Sequence, residues 1–130
     1  MDNERRTTEK QTKAGRCIMN KYRNRKLTIN GITYDSVKEA RRHAELLLLE
    51  RAGQITNLRR QVKFVLIPAQ RIDGKVVEHA CSYIADFVYT QNGETVVEDV
   101  KGYKKGAAYT IFTIKRKLIL HVHGIRIKEV

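Results

Sequence analysis

Asp86 and Asp99 stand on either side of an Asn92-Gly93 turn, and Lys101 follows Asp99 by two residues. Asn-Gly between β-rich runs signals a two-residue hairpin. Pairing Gln91 with Glu94 sets a register in which Asp86 faces Asp99 and Lys101 pairs with Ile84. Side chains alternate along a strand, so Lys101 returns to the face of Asp99. Two acids and one amine thus share one face. Directly opposed residues hold their Cβ atoms about 4.5–5.5 Å apart, and like charges there destabilise a sheet. A hard divalent cation bound by both carboxylates offsets that repulsion, because Mg2+ takes oxygen ligands, commonly one or two carboxylates together with water and substrate phosphate. The lysine is then placed to orient or deprotonate a water. The ordinary alternative is a solvated hairpin face on which Lys101 neutralises Asp99. Weighing against it, Ser82 to Tyr89 and Thr95 to Lys101 are apolar on both faces around the acids. Charges set in such strands are costly unless paired or metal-bound, and perturbed acids cluster at functional sites.

Several elements must position these residues. Leu27 to Tyr34 carries Asn30-Gly31 between short apolar runs and predicts a small hairpin. Ser36 with Glu39 three residues on forms a capping box, and a helix follows from about Ser36 to Ala52, stopped by Gly53. Arg59 to Ala69 is β-rich, Asp73-Gly74 is a second turn, and Val76 leads into a long strand ending at Thr90. Pro68 belongs at an edge, a strand end or a bulge, since it has no N–H to donate. After the basic loop Gly102 to Gly106, a helix from about Thr110 to His121 carries Ile111, Ile114, Leu118 and His121 at helical spacing, and a last strand runs from Ile125 to Val130. The predicted class is mixed α and β, in the order αβββαβ, with an antiparallel meander at its centre.

A chain of 130 residues with 42% apolar composition supports one domain and one core. Its formal charge of +12 points to a polyanionic partner, nucleic acid before an anionic membrane. Met1 to Lys26 holds nine basic and three acidic residues and the remainder seventeen and eleven, so each part contributes +6. The basicity is not confined to a tail. Residues 1–22 are polar and lack periodicity, which predicts a flexible basic arm before a single domain over 23–130. Cys17 and Cys81 have no metal-ligand spacing, and His43, His79, His121 and His123 form no ligand array. The first residues are charged from Asp2 onward with no apolar h-region, and the longest leucine run, Leu46 to Leu49, is too short to span a bilayer; a cytoplasmic protein without membrane partners is expected.

Asp86, Asp99 and Lys101, with Glu39 on the first helix and the αβββαβ order, resemble the signature of the PD-(D/E)XK nuclease superfamily. Tyr34-Asp35-Ser36 to Ala40, Gln61, Tyr83 to Phe87 and Val97 to Gly102 are more closely similar to small phage and prophage proteins of poorly defined function assigned to that superfamily. The resemblance covers about Lys21 to Val130. Ala85 stands where the superfamily's name records proline. Glu98 adjoins Asp99, but alternation turns it to the other face and only Asp99 has the x-Lys spacing.

The resemblance implies a restriction-endonuclease-like α/β (α+β) core, a mixed sheet flanked by helices. It implies a Mg2+-dependent endodeoxyribonuclease, with Mn2+ as a substitute, acting on branched or recombination-intermediate DNA. Asp86 and Asp99 would hold the metal with the Val100 carbonyl, Lys101 would position the water or stabilise the developing charge, and Glu39 would complete the ion shell or hold a second metal through water. Gln61 resembles a glutamine beside the metal site in some members, and Tyr103, Lys104 and Lys105 adjoin the site where phosphates would pass. Junction resolution would require two active sites and hence a homodimer. Glu39 lies on a helical stripe with His43, Leu46 and Glu50, apart from Val37, Ala40, Ala44, Leu47 and Leu48, so the helix alone leaves its direction open. The competing reading is a catalytically inactive DNA-binding accessory of recombination or packaging. An RNA-binding module is disfavoured by six Tyr, three Phe and no Trp.

Overall fold

The computed structural model describes residues 26–130; the basic arm over 1–22 and Cys17 lie outside the described residues. The chain divides into two compact units, Met1–Ala40 and Arg41–Val130.

In the first unit, β1 (Leu27–Ile29) and β2 (Ile32–Tyr34) pair antiparallel, Leu27 with Tyr34. Asn30 at φ 52° and Gly31 at φ 81° supply the two left-handed residues that a tight hairpin of this hand needs. Ser36 then starts α1 (Val37–Arg51): its Oγ accepts the Glu39 N–H at 3.1 Å, and Glu39 Oε1 accepts the Asp35 N–H at 2.9 Å. The predicted capping box therefore forms, with the glutamate reaching one residue further back than the usual motif.

The second unit is built on a four-stranded sheet in the order β3-β6-β7-β8, made of β3 (Thr56–Ile67), β6 (Cys81–Gln91), β7 (Glu94–Asp99) and β8 (Lys128–Glu129). The first three are antiparallel, and β8 joins β7 in parallel after the crossover helix α2 (Gly106–His123). A parallel neighbour requires such a crossover. The order αβββαβ is thus observed once the hairpins are set aside. Gly124, at φ 69°, ends α2 and donates its N–H to the Leu120 carbonyl.

Three elements differ from expectation. The strand expected from Val76 to Thr90 is broken at His79-Ala80: β4 (Gln70–Ile72) and β5 (Lys75–Glu78) form a separate two-stranded sheet around Asp73-Gly74, with Pro68 at the end of β3. Helix α2 starts four residues earlier than expected, at Gly106, and the last strand keeps only two residues.

Two apolar clusters flank the sheet. Phe87 and Tyr89 pack with Leu46 of α1 and with Ile55, while Tyr83, Ala85, Val88 and Val97 pack with Phe112 and Ile119 of α2 and with Ile127. Burying a side chain such as Phe87 or Leu46 contributes about 1.5–3 kcal/mol. The buried stripe of α1 is the mixed one: Glu39, His43 and Leu46 are buried, whereas Val37, Leu47 and Leu48 are exposed. In α2, Phe112 and Ile119 face inward and Ile111 and Ile114 remain exposed.

Candidate functional site

The β6-β7 ladder runs from Gln91↔Glu94 to Phe87↔Glu98 in the expected register, then stops. Asp86 and Asp99 occupy the next position, where the strands part, and the expected Lys101–Ile84 pair does not form. Past this point β7 turns its backbone to the last residues of the chain: Val130 N–H donates to the Asp99 carbonyl at 3.0 Å and Lys101 N–H to the Val130 carbonyl at 2.9 Å. The Val100 N–H goes instead to Asp86 Oδ2 at 2.8 Å, so a carboxylate takes the place of a ladder carbonyl.

A second irregularity coincides with Asp86. In a regular strand Tyr83, Ala85, Phe87 and Tyr89 would share one face. Here the first two join the α2 cluster and the last two the α1 cluster. Strand β3 switches as well, Val62, Phe64 and Leu66 packing with α2 and Leu58 with α1. Arg60 pairs with Phe87 and Val62 with Ala85, so the switch falls on Gln61 and Asp86, opposite each other. Gln61 has φ 53°, a left-handed conformation uncommon for a residue with a Cβ. Its Nε2 donates to Asp86 Oδ1 at 3.3 Å. Pleat irregularities of this kind re-aim side chains beside active sites.

Asp99 is 6% exposed. Its Oδ1 accepts the Tyr83 hydroxyl at 2.8 Å, and its Oδ2 lies 2.7 Å from Lys101 Nζ. Lys101 Nζ also sits 3.6 Å from the centre of the Phe112 ring, an additional attraction between cation and π face. Burial pushes the Tyr83 phenol far above its ordinary value, reinforced by the charges of Asp99 and Asp86. The repulsion that the sequence would assign to a cation for relief is therefore already offset by a lysine, a tyrosine, a glutamine and a backbone N–H.

Glu98 points the other way, as alternation predicts. It is 0% exposed and held by Arg42 through two bonds, Nε to Oε1 at 2.8 Å and Nη2 to Oε2 at 2.7 Å, and by the Tyr89 hydroxyl. Desolvation pushes the Glu98 carboxyl up, yet the hydrogen bonds from Arg42 and Tyr89 outweigh it and hold it below the usual carboxylate range. The Arg42 guanidinium is correspondingly raised, chiefly by its bond to Glu98. This pair fastens α1 to β7 one residue from Asp99.

The sequence-predicted residues divide as follows. Asp86, Asp99, Lys101 and Gln61 converge where the β6-β7 ladder ends. Glu39, 2% exposed, caps α1 within the first unit. Tyr103 is 56% exposed, Lys104 Nζ lies 3.8 Å from Glu129, and Lys105 is the residue before α2. His43 stacks on Phe87 with ring centres 5.5 Å apart, and burial, aided by Arg60, lowers its pKa. His123 hydrogen-bonds the Val65 carbonyl in β3 at 2.8 Å. Phe112 and Glu129 were not singled out by the sequence, and Tyr83 carried no role of its own there. A buried tyrosine hydroxyl requires a partner, which is the signal that Tyr83 offered.

The donor chemistry around Asp86 and Asp99 is hard oxygen, which suits Mg2+ better than a thiolate or imidazole metal. Among the described residues no group of three or more His, Cys, Asp and Glu is gathered for a metal, so such an ion would need water or substrate oxygens to complete its shell. No helix among the described residues is long and apolar enough to cross a membrane.

Residues 19–127 match the family model described as "Protein of unknown function (DUF1064)". The chain belongs to the DUF1064 family. No curated protein and no solved structure matches it. The DUF1064 match spans Glu39, Gln61, Asp86, Asp99 and Lys101, and with them α1 and α2, so the candidate site lies inside the matched region.

Proposed function

We propose that this protein is a metal-dependent nuclease that hydrolyses DNA phosphodiester bonds, with a restriction-endonuclease-like core. The observation that carries the reading is the convergence of Asp86, Asp99 and Lys101 where the β6-β7 ladder opens, with Lys101 Nζ 2.7 Å from Asp99 Oδ2. A sheet in the order β3-β6-β7-β8, closed by a parallel strand after a crossover helix, supports it, as does the +12 charge.

Asp86 and Asp99, with the Val100 carbonyl, would hold Mg2+, which when bound supplies Lewis-acid stabilisation of phosphoryl charge and a more acidic water. Hydrolysis forms one bond from water oxygen to phosphorus and breaks another to the leaving oxygen, yielding a phosphomonoester and an alcohol. Lys101 orients the incoming water and stabilises the charge gathering on the phosphoryl oxygens. Tyr83 and Gln61 fix the carboxylates so that little reorganisation accompanies the reaction. Branched DNA is the substrate class we favour; resolving a four-way junction would require a homodimer.

The test incubates labelled linear duplex, flap, single-stranded and four-way-junction DNA with the protein in Mg2+ or EDTA, alongside Asp99→Asn and Lys101→Ala. Metal-dependent cleavage lost in both variants is expected. Cleavage surviving Asp99→Asn would show that the site is elsewhere, and inactivity on every substrate with intact DNA binding would favour the accessory reading.

A further inference from the structure

At the outer edge of the sheet, α2, β8 and the residues just before it enclose a cavity of about 300 Å3 lined by Arg116, Lys117, Leu120, Arg126, Ile127 and Glu129. Its charges are unequal: three cations face one carboxylate. That carboxylate is already engaged, by Arg116 Nη1 at 3.0 Å and the Tyr109 hydroxyl at 3.1 Å, with Lys104 Nζ 3.8 Å away. Desolvation pushes Glu129 up, but the bonds from Arg116 and Tyr109 outweigh it and keep the group ionised. Glu129 and Arg116 thus satisfy each other, and among the described residues Lys117 and Arg126 form no ion pair. Two uncompensated cations adjoin an apolar floor, Ile127 at 7% exposure and Leu120 at 52%. An anion with a less polar body fits that combination. The volume is at the lower end of ligand pockets and takes a nucleotide unit, not a duplex.

Register places this cavity beside the acids. Glu129 is the parallel partner of Asp99, and neighbouring strands are about 4.8 Å apart. We propose that the cavity is a nucleotide-phosphate subsite: Arg126 and Lys117 take the phosphate next along the strand from the one at Asp86 and Asp99, and Leu120 and Ile127 pack against its sugar. The placement of that phosphate rests on the nuclease reading; the ligand chemistry rests on the cavity.

The test titrates the full chain, in EDTA, with thymidine 5′-monophosphate, thymidine or inorganic phosphate, following the methyl resonances of Leu120 and Ile127. The monophosphate should shift both methyls saturably and thymidine should not. A Lys117→Gln/Arg126→Gln double variant should bind about tenfold or more weakly with an unchanged melting temperature, as loss of charge-assisted bonds requires. Absence of shifts, unaltered affinity in the double variant, or inorganic phosphate binding as tightly as the nucleotide each overturns the subsite. No turnover is read, so the two readings fail separately. Nucleotide binding without DNA cleavage in Mg2+ removes the nuclease reading and leaves the cavity's ligand in place, and cleavage without nucleotide binding does the reverse.

Discussion

Gln61 Nε2 reaches Asp86 Oδ1 across 3.3 Å from a backbone at φ 53°, at the place where both strands exchange the faces of their side chains. The left-handed conformation is what a Cβ disfavours, by about 1–2 kcal/mol, so Gln61 holds its position against a local preference. Gln61→Gly should relieve that conflict while removing the hydrogen bond, and Gln61→Val should add β-branched crowding to it. We expect urea unfolding to rank Gly above Ala above Val, with Val at least about 1 kcal/mol below Gly. A valine variant as stable as the glycine variant would mean that the reversal is not anchored at this residue.

Arg42 and Glu98 should show the asymmetry of a buried pair. Arg42→Ala strands a carboxylate that is 0% exposed and should cost about 3–5 kcal/mol at pH 7. Glu98→Gln leaves a guanidinium that still has Glu45 at 2.9 Å and should cost about 1–3 kcal/mol. Because the folded carboxyl is held below its unfolded value of about 4.3, its contribution is complete above that pH and is lost as the pH falls through the folded value. Denaturation midpoints at pH 7 and pH 4 check both parts, and the Glu98→Gln protein should lose less on acidification than the wild type.

The turns, the helix cap and the order of elements were legible because each depends on a few neighbouring residues: Asn92-Gly93, Asp73-Gly74, Ser36 with Glu39. So was the register that brings Asp86 level with Asp99. What could not be read is where that register ends. The opening depends on Val130 capturing the backbone around Asp99 and on Asp86 capturing Val100, contacts made by a distant segment and by a side chain. The inward face of α1 was equally hidden, since Glu39 and His43 are buried through partners that local hydropathy does not record. Tyr83, Phe112 and Glu129 joined the site's surroundings only through tertiary packing.

Tyr89 should titrate late. Burial, then its bond to Glu98, pushes its phenol up to about 12, while an unfolded tyrosine ionises near pH 10. A raised folded value means that its contribution is intact below about pH 10 and is lost as the pH rises toward the folded value. Ultraviolet titration of the phenolate should find Tyr83 and Tyr89 ionising above the usual phenol range, and Tyr89→Phe should remove the transition near 12. A Tyr89→Phe protein with an unaltered titration curve would contradict the assignment.

Lys101 and a divalent ion should compete for the same oxygen. In the structure Lys101 Nζ lies 2.7 Å from Asp99 Oδ2 and rests against the Phe112 ring, so ion binding must draw the ammonium away from one of its two attractive partners. Lys101→Met keeps the length of the side chain and its apolar contact while removing the charge; it leaves a carboxylate that is 6% exposed with the Tyr83 hydroxyl still donating to it, so stability should fall by about 3 kcal/mol. Its affinity for Mg2+ should nevertheless rise, because a positive neighbour has been removed from the carboxylates, whereas DNA cleavage should fall by about a hundredfold or more through loss of transition-state stabilisation. Calorimetric titration with Mg2+ and single-turnover cleavage separate the two effects. Tighter binding with lost cleavage would establish the lysine as both placeholder and catalytic group; weaker Mg2+ binding in the methionine variant would show that Lys101 supports the ion's site instead of competing for it.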